Sequence, residues 1–171
     1  MTRRPVCVDL DGTLIAGDLL WDSLVTLFRE RPLTALTVAA SVVHGRAHLK
    51  QRVAEHVALD PATLVYRADL LGELRTLKAQ GVPLVLATAS HETYARALSD
   101  HLQLFGDVVA SDGRRNLSGR HKASCLVERF GVHGFDYIGN DWSDVPVWRA
   151  AAGATIVRIG TALFGPRSKH E

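Results

Sequence analysis

The sequence predicts an α/β protein: a parallel sheet with helices on both faces, and a small all-helical insert after the first strand. Three observations predict this. Short apolar runs alternate with helix-period segments through the C-terminal half, the pattern of strands joined by crossover helices. The run "VPLVLA" (residues 82–87) is continuously apolar, as in strands buried on both faces. Between Val8 and Gln80 no convincing strand appears, although one crossover needs only a single helix.

The elements follow in order. Val6-Cys7-Val8 is a short strand ending at Asp9. Residues 21–29, 33–43, 48–57 and 64–78 read as helices. The last is the clearest, with Asp60 as N-cap, Pro61 in the first turn, an apolar face of Leu64, Ala68, Leu71, Leu74 and Leu77, and Gly81 as the stop. A strand at 82–87 follows, then a helix at 91–102 capped by Ser90, and a strand at 107–111. Gly113 to Gly119 is a turn region. A helix at 122–130, a strand at 135–139, a helix at 143–151 and a last strand at 154–159 complete the pattern. The tail from Gly160 to Glu171 is expected to fray. Residues 1–17 and 72–171 are assigned to the sheet-bearing core, and 18–71 to the helical insert.

Bulk properties exclude several classes. The 171 residues are 47% apolar and 22% charged, with a formal net charge of +2, ordinary for one globular domain. The basic residues are scattered, so no nucleic-acid footprint emerges. Two cysteines, Cys7 and Cys125, make neither a disulfide framework nor a zinc site, and a reducing, cytoplasmic setting is expected. Few apolar residues precede Asp9, too few for a signal peptide. The most apolar stretch, "LTALTVAASVV" from Leu33, falls short of the ~18 residues a membrane span needs, so no transmembrane segment is expected.

Ligands of open parallel sheets bind beyond the carboxyl ends of the strands. The polar residues at those positions are Asp9, Asp11 and Thr13, then Thr88 and Ser90, then Asn140, Asp141 and Asp144, with Lys122 opening a helix. This set suits phosphoryl transfer. One carboxylate can attack phosphorus, and a second can protonate the leaving oxygen and later deprotonate water. Asp9 and Asp11 are the candidate pair. Adjacent acids repel, and a magnesium ion, which takes oxygen ligands, offsets that repulsion. Thr88 and Lys122 supply donors for the phosphoryl oxygens, and Gly12 permits a tight turn behind the acids.

With these residues in place, the sequence resembles the haloacid dehalogenase superfamily of phosphohydrolases over nearly its whole length. The matching motifs are "DLDGT" (9–13), "LVLAT" ending at Thr88, "GRHKA" with Lys122, and "GNDWSD" (139–144). The resemblance implies a Rossmann-like core with a helical cap. It makes Asp9 the nucleophile and Asp11 the general acid/base. It makes Thr88, Ala89 and Lys122 the phosphate binders, and draws the Mg2+ ligands from Asp9, Asp11, Asn140, Asp141 and Asp144. One departure stands out. The fourth motif normally begins with Asp, and this chain has Asn140, which weakens the metal site unless Asp141 takes the role. More narrowly, "LATASHETYARALSDHLQLFGDVVASDG", "NLSGRHKA" and "LVERFGVHGFDYIGN" are similar to a subgroup often fused to, or encoded beside, UbiA-type membrane prenyltransferases. That similarity implies a small or lipid-linked phosphate monoester as substrate and a membrane prenyltransferase as partner.

Three functions remain open from the residues: a magnesium-dependent phosphatase, a phosphotransferase with an alcohol acceptor, and a non-catalytic phosphate- or metal-binding module. Specificity is expected from the cap, where Trp21, Arg29, Arg31, His44, Arg46, His48 and Lys50 offer charge and ring faces. His44 and His48 read as surface histidines, because Gly45 interrupts them and no third ligand is near.

Overall fold

The computed structural model describes residues 3–158 and 161–162. β1 (Val6–Val8) lies at the centre of the sheet. It pairs in parallel with β2 (Leu84–His91) on one side and β4 (Asp136–Gly139) on the other. β3 (Asp107–Ser111) and β5 (Gly153–Arg158) extend the sheet outward, also in parallel. A two-residue strand, β6 (Thr161–Ala162), closes that edge antiparallel to β5, and the order is β3-β2-β1-β4-β5-β6. This is the expected α/β sheet. The rest of the expected frayed tail lies outside the described residues.

Strand period 2 builds two cores. Val6, Val8, Leu84, Leu86 and Ile138 face α4 (Ala68–Ala79) and α5 (Glu92–Leu102). Cys7, Val85, Ala87 and Tyr137 face the opposite way, onto α6 (Arg120–Phe130) and α7 (Val145–Ala150). Burial pushes the Cys7 thiol up to about 12, so it stays protonated as an apolar side chain. A third cluster, Leu27, Ala35, Val38, Leu49 and Val53, belongs to the insert's own helices, α1 (Leu19–Glu30), α2 (Pro32–Ala40) and α3 (Arg46–His56). Leu70 and Leu71 fall on the insert's side of the expected 71/72 boundary, yet they pack in the sheet's core. Among the described residues no helix is long and apolar enough to cross a membrane.

Three local expectations are corrected. Asp60 caps only a short 3-10 turn, Pro61–Thr63, and α4 starts at Ala68. The intervening residues are drawn out of helix by pairing with the loop after β1. The Ala16 amide donates to Val65 O, the Arg67 amide to Leu14 O, and Tyr66 bridges Ile15. Tertiary hydrogen bonds outweigh helix propensity here. Second, α2 ends at Ala40 and continues as a 3-10 turn, Ser41–His44. Third, His91 caps α5, and Ser90 is turned toward the site instead. β2 also shifts register between Ala87 and His91, where the sheet meets the site.

The loop after β1 is anchored by fully buried Leu10 and Leu14. Leu14→Ala is expected to cost about 2–5 kcal/mol in urea unfolding, the range for emptying a filled core position. A loss below about 1 kcal/mol would show that this packing does not hold the loop.

Candidate active site

Asp9 follows β1 directly, its amide donating to Ile138 O of β4 at 2.9 Å. The chain then coils tightly: the amides of Thr13, Leu14 and Ile15 all aim at Leu10 O. Gly12 sits at φ +71°, and a Cβ there would lie 2.3 Å from Asn140 Nδ2. Only glycine lets this loop lie against the Asn140 side chain.

α6 delivers Lys122 into the interior, where it is 3% exposed. Its ammonium donates to Asp9 Oδ1 at 2.8 Å, Tyr137 OH at 2.8 Å and Asp144 Oδ1 at 3.2 Å. The Tyr137 hydroxyl donates in turn to Asp144 Oδ1 at 2.8 Å. Buried charge is costly unless paired and hydrogen-bonded, and here every N–H of the ammonium has an acceptor. Burial pushes Asp9 up to about 6, against the pull of Lys122. For Lys122, burial works downward, but Asp9 and Asp144 more than offset it and hold the ammonium above the usual lysine range. Burial, then Asp9 and Asp144, keep the Tyr137 phenol protonated by raising it well above its ordinary value.

Asp11 occupies the other wall. Its Oδ1 accepts from the Leu19 amide at 2.8 Å, and its Oδ2 from the Ser90 hydroxyl at 2.6 Å. Burial raises it, while the Leu19 amide and Ser90 hydroxyl pull the other way. Thr88 is fully buried and does not line the cleft; its Oγ1 accepts from the Ser90 amide at 2.9 Å. The cleft wall at that strand end is Ala89 and Ser90. Opposite them stands Lys50 of α3, buried, with Nζ donating to Ala89 O at 2.5 Å and Asn116 Oδ1 at 2.8 Å. Burial, reinforced by Arg46, brings the Lys50 ammonium down to about 8.

The fourth motif divides its duties. Asp144 is buried, with Oδ1 held by Lys122 and Tyr137, and with Oδ2 accepting from the Asp141 amide at 3.4 Å. Asp141 lines the cleft, but its side chain caps the 3-10 turn Trp142–Asp144. Asn140 faces the acids: Thr13 Oγ1 is 3.0 Å from Asn140 Oδ1 and 3.3 Å from Asp9 Oδ2. One hydroxyl proton serves one of these oxygens at a time, so the other lacks a donor. Two neighbouring oxygens, one anionic, that compete for a single proton suit a hard cation. Asn140 adds no charge, and among the described residues no group of three or more His, Cys, Asp or Glu is placed to hold a metal. The Asp9 and Asn140 oxygens would suit a magnesium ion that drew the rest of its shell from a main-chain carbonyl, water and phosphate.

These side chains surround a cleft of about 490 Å³ between the strand ends and the insert, reached by Asp9, Asp11, Lys122, Asn140, Asp141 and Asp144 alike. Sequence reasoning missed Tyr137, which is buried behind the cleft on Lys122, and the inward placement of Lys50. Tyr137 carries no signal, since a tyrosine in an apolar strand reads as core. Lys50 was visible only as one of several charges on the insert, and nothing local says that it points inward.

The fold and the site define an α/β protein with a parallel sheet, a carboxylate pair at the end of its central strand, and a helical insert above it. The chain belongs to the haloacid dehalogenase-like hydrolase family, whose model matches residues 6–149. It is 35% identical over 158 residues to the uncharacterized protein y4nM of Sinorhizobium fredii, a match that covers 92% of this chain and 30% of that protein. Its fold is similar to that of the HAD family hydrolase t0658 of Salmonella enterica serovar Typhi, with a TM-score of 0.61, 14% identity, and 87% of this chain and 61% of that chain covered. It is similar too to a phospho-aspartyl intermediate analogue of phosphoserine phosphatase, with a TM-score of 0.59, 10% identity, and coverages of 91% and 87%. The chain thus spans under a third of the curated relative and less than two thirds of the Salmonella hydrolase.

Tyr137→Phe removes a donor from Asp144 and an acceptor from Lys122, both buried. Urea unfolding should show a loss of about 1–3 kcal/mol, the cost of stranding buried polar partners. A second prediction concerns Lys50. Between about 8 and the ordinary lysine value of ~10.4, the unfolded chain holds a proton that the folded chain has released. Stability of the wild type relative to Lys50→Met should therefore rise with pH across that window, by at most about 1.4 kcal/mol per pH unit. A flat difference in urea unfolding from pH 7 to 10 would refute the lowered Lys50.

Proposed function

We propose that the protein is a magnesium-dependent phosphatase that hydrolyses phosphate monoesters through an aspartyl-phosphate on Asp9. The observation that supports this best is the asymmetry of the Asp9 carboxylate. Lys122 fixes Oδ1, while among the described residues Oδ2 has only a hydroxyl shared with Asn140. Lys122 orients the carboxylate from one side and leaves its other oxygen facing Thr13 and Asn140.

In the first step the Asp9 carboxylate forms a bond to phosphorus as the ester bond breaks, and Asp11 gives its proton to the departing alcohol oxygen. In the second, Asp11 takes a proton from water as that water attacks phosphorus. The bond to Asp9 breaks, and carboxylate and inorganic phosphate are released. Burial raises Asp11, which suits the donor role in the first step. Asp9, Asn140 and the Asp11 main-chain carbonyl would hold magnesium, which supplies positive charge against the phosphoryl oxygens. Lys122, already engaged three ways, orients the nucleophile and contributes charge to the phosphoryl site. Thr88 acts from behind the wall through Ser90.

A lipid-linked phosphate is the second substrate reading. It rests on the resemblance to prenyltransferase-associated domains, and one surface feature favours it: Leu33, Leu36 and Val43 are 79%, 58% and 80% exposed along α2 and the turn after it. A phosphotransferase would run the same first step and give the phosphoryl group to an alcohol.

The test is phosphate release from p-nitrophenyl phosphate and a panel of monoesters. Release should require magnesium, stop with EDTA, and fall about 10³-fold or more in Asp9→Asn. Undiminished turnover in that variant would refute the aspartyl mechanism. No release from any ester by folded protein would leave the phosphate-binding module as the reading.

A further inference from the structure

The Asp9 cleft does not end at its own walls. Arg46, Asn116 and Ser118 are shared with a second, wider groove of about 840 Å³. That groove runs between the start of α3 and the loop joining β3 to α6. The two sides meet where Gly113 packs on Gln51; a Cβ on Gly113 would lie 1.8 Å from Gln51 Oε1.

Its lining is strongly one-sided in charge. Arg46, Arg114 and Arg115 contribute three guanidinium groups, and His44, His48 and His121 three imidazoles. No ion pair engages the three arginines among the described residues. One acid is present, Asp112, and its Oδ1 is turned onto its own loop, accepting from the Arg114 and Arg115 amides at 2.8 and 2.5 Å. From Arg31 to Ala54 the chain carries no Asp or Glu.

The backbone adds to this field. Gly45 enters α3 at φ +101° with no side-chain cap, so the first amides of an 11-residue helix open at the groove. Uncapped amides and guanidinium groups both present N–H donors and positive charge, the features that attract an anion. The wall between groove and cleft is a chain of contacts: Lys50 holds Asn116, and Asn116 Nδ2 donates to the Ser118 hydroxyl at 2.9 Å.

We propose that this groove is a second anion subsite, so that the protein takes small phosphate esters that carry another phosphate group, one held in the groove while the other reacts at Asp9. The inference rests on the phosphatase reading for the second half of that statement only. The distal phosphate would bind Arg114, Arg115 and the α3 N-terminus. The Lys50–Asn116–Ser118 wall would set the spacing between the two phosphates.

The test uses straight-chain diol bisphosphates of increasing length beside the matching monophosphates. On the Asp9→Asn protein, calorimetry should show at least one bisphosphate bound about tenfold or more tighter than its monophosphate. That preference should collapse toward unity when Arg114→Ala and Arg115→Ala are added. In turnover by protein with Asp9 intact, the kcat/KM ratio of bisphosphate to monophosphate should behave in the same way. Equal binding at every length, or a preference untouched by the arginine changes, overturns the subsite. A binding preference without any phosphate release keeps the subsite and fails the phosphatase reading instead. Tighter binding of a 5′-phosphorylated oligonucleotide than of every bisphosphate would overturn the small-molecule assignment.

Discussion

The buried ammonium of Lys122 is the interaction on which the site depends. Two carboxylates, Asp9 and Asp144, and the Tyr137 hydroxyl converge on one nitrogen. None of these groups would be tolerated alone in the interior. Together they tie the end of β1, the start of α6, β4 and the turn after β4 into one unit. The cost of burying the charges is also what makes the arrangement specific, because any shift of α6 or of the fourth motif would strand a charge. The geometry of the Asp9 carboxylate is thus set by the same contacts that close the core beneath it.

The insert meets this unit through Lys50, which spans from α3 to the β2 strand end and to the loop before α6. Arg67 does the same at the insert's other root, its guanidinium donating to Gly12 O at 3.1 Å. Basic side chains from the insert therefore reach main-chain carbonyls of the site on two sides. Any closing or opening of the insert would be felt directly at Ala89 and Gly12, which lie beside the proposed phosphoryl position.

Asn140 explains itself through its neighbours. Its amide lies against Gly12, and its carbonyl shares the Thr13 hydroxyl with Asp9. An aspartate here would put a second negative charge beside Asp9, with one hydroxyl proton between them. The chain places a neutral oxygen donor at that point and keeps its buried negative charge paired with Lys122.

The sequence by itself determined the sheet, the order of its elements and the family. Strand and helix periods follow from which faces must be buried, and the motif acids fall where strands end. That Asp9, Asp11, Lys122, Asn140, Asp141 and Asp144 would gather at one cleft was legible in this way, because each sits at a recognisable junction. What lay beyond reach was partnership across the chain. Tyr137 looks like core until Lys122 arrives from α6. Ser90 looks like a helix cap until Asp11 offers a better acceptor. Residues 64–67 look helical until the β1 loop supplies hydrogen bonds. The basic groove joins residues 44–48 to residues 112–121, far apart in sequence, and neither segment alone forms a charge run. Only tertiary structure decided these, because a side chain's role there depends on a partner that local sequence does not specify.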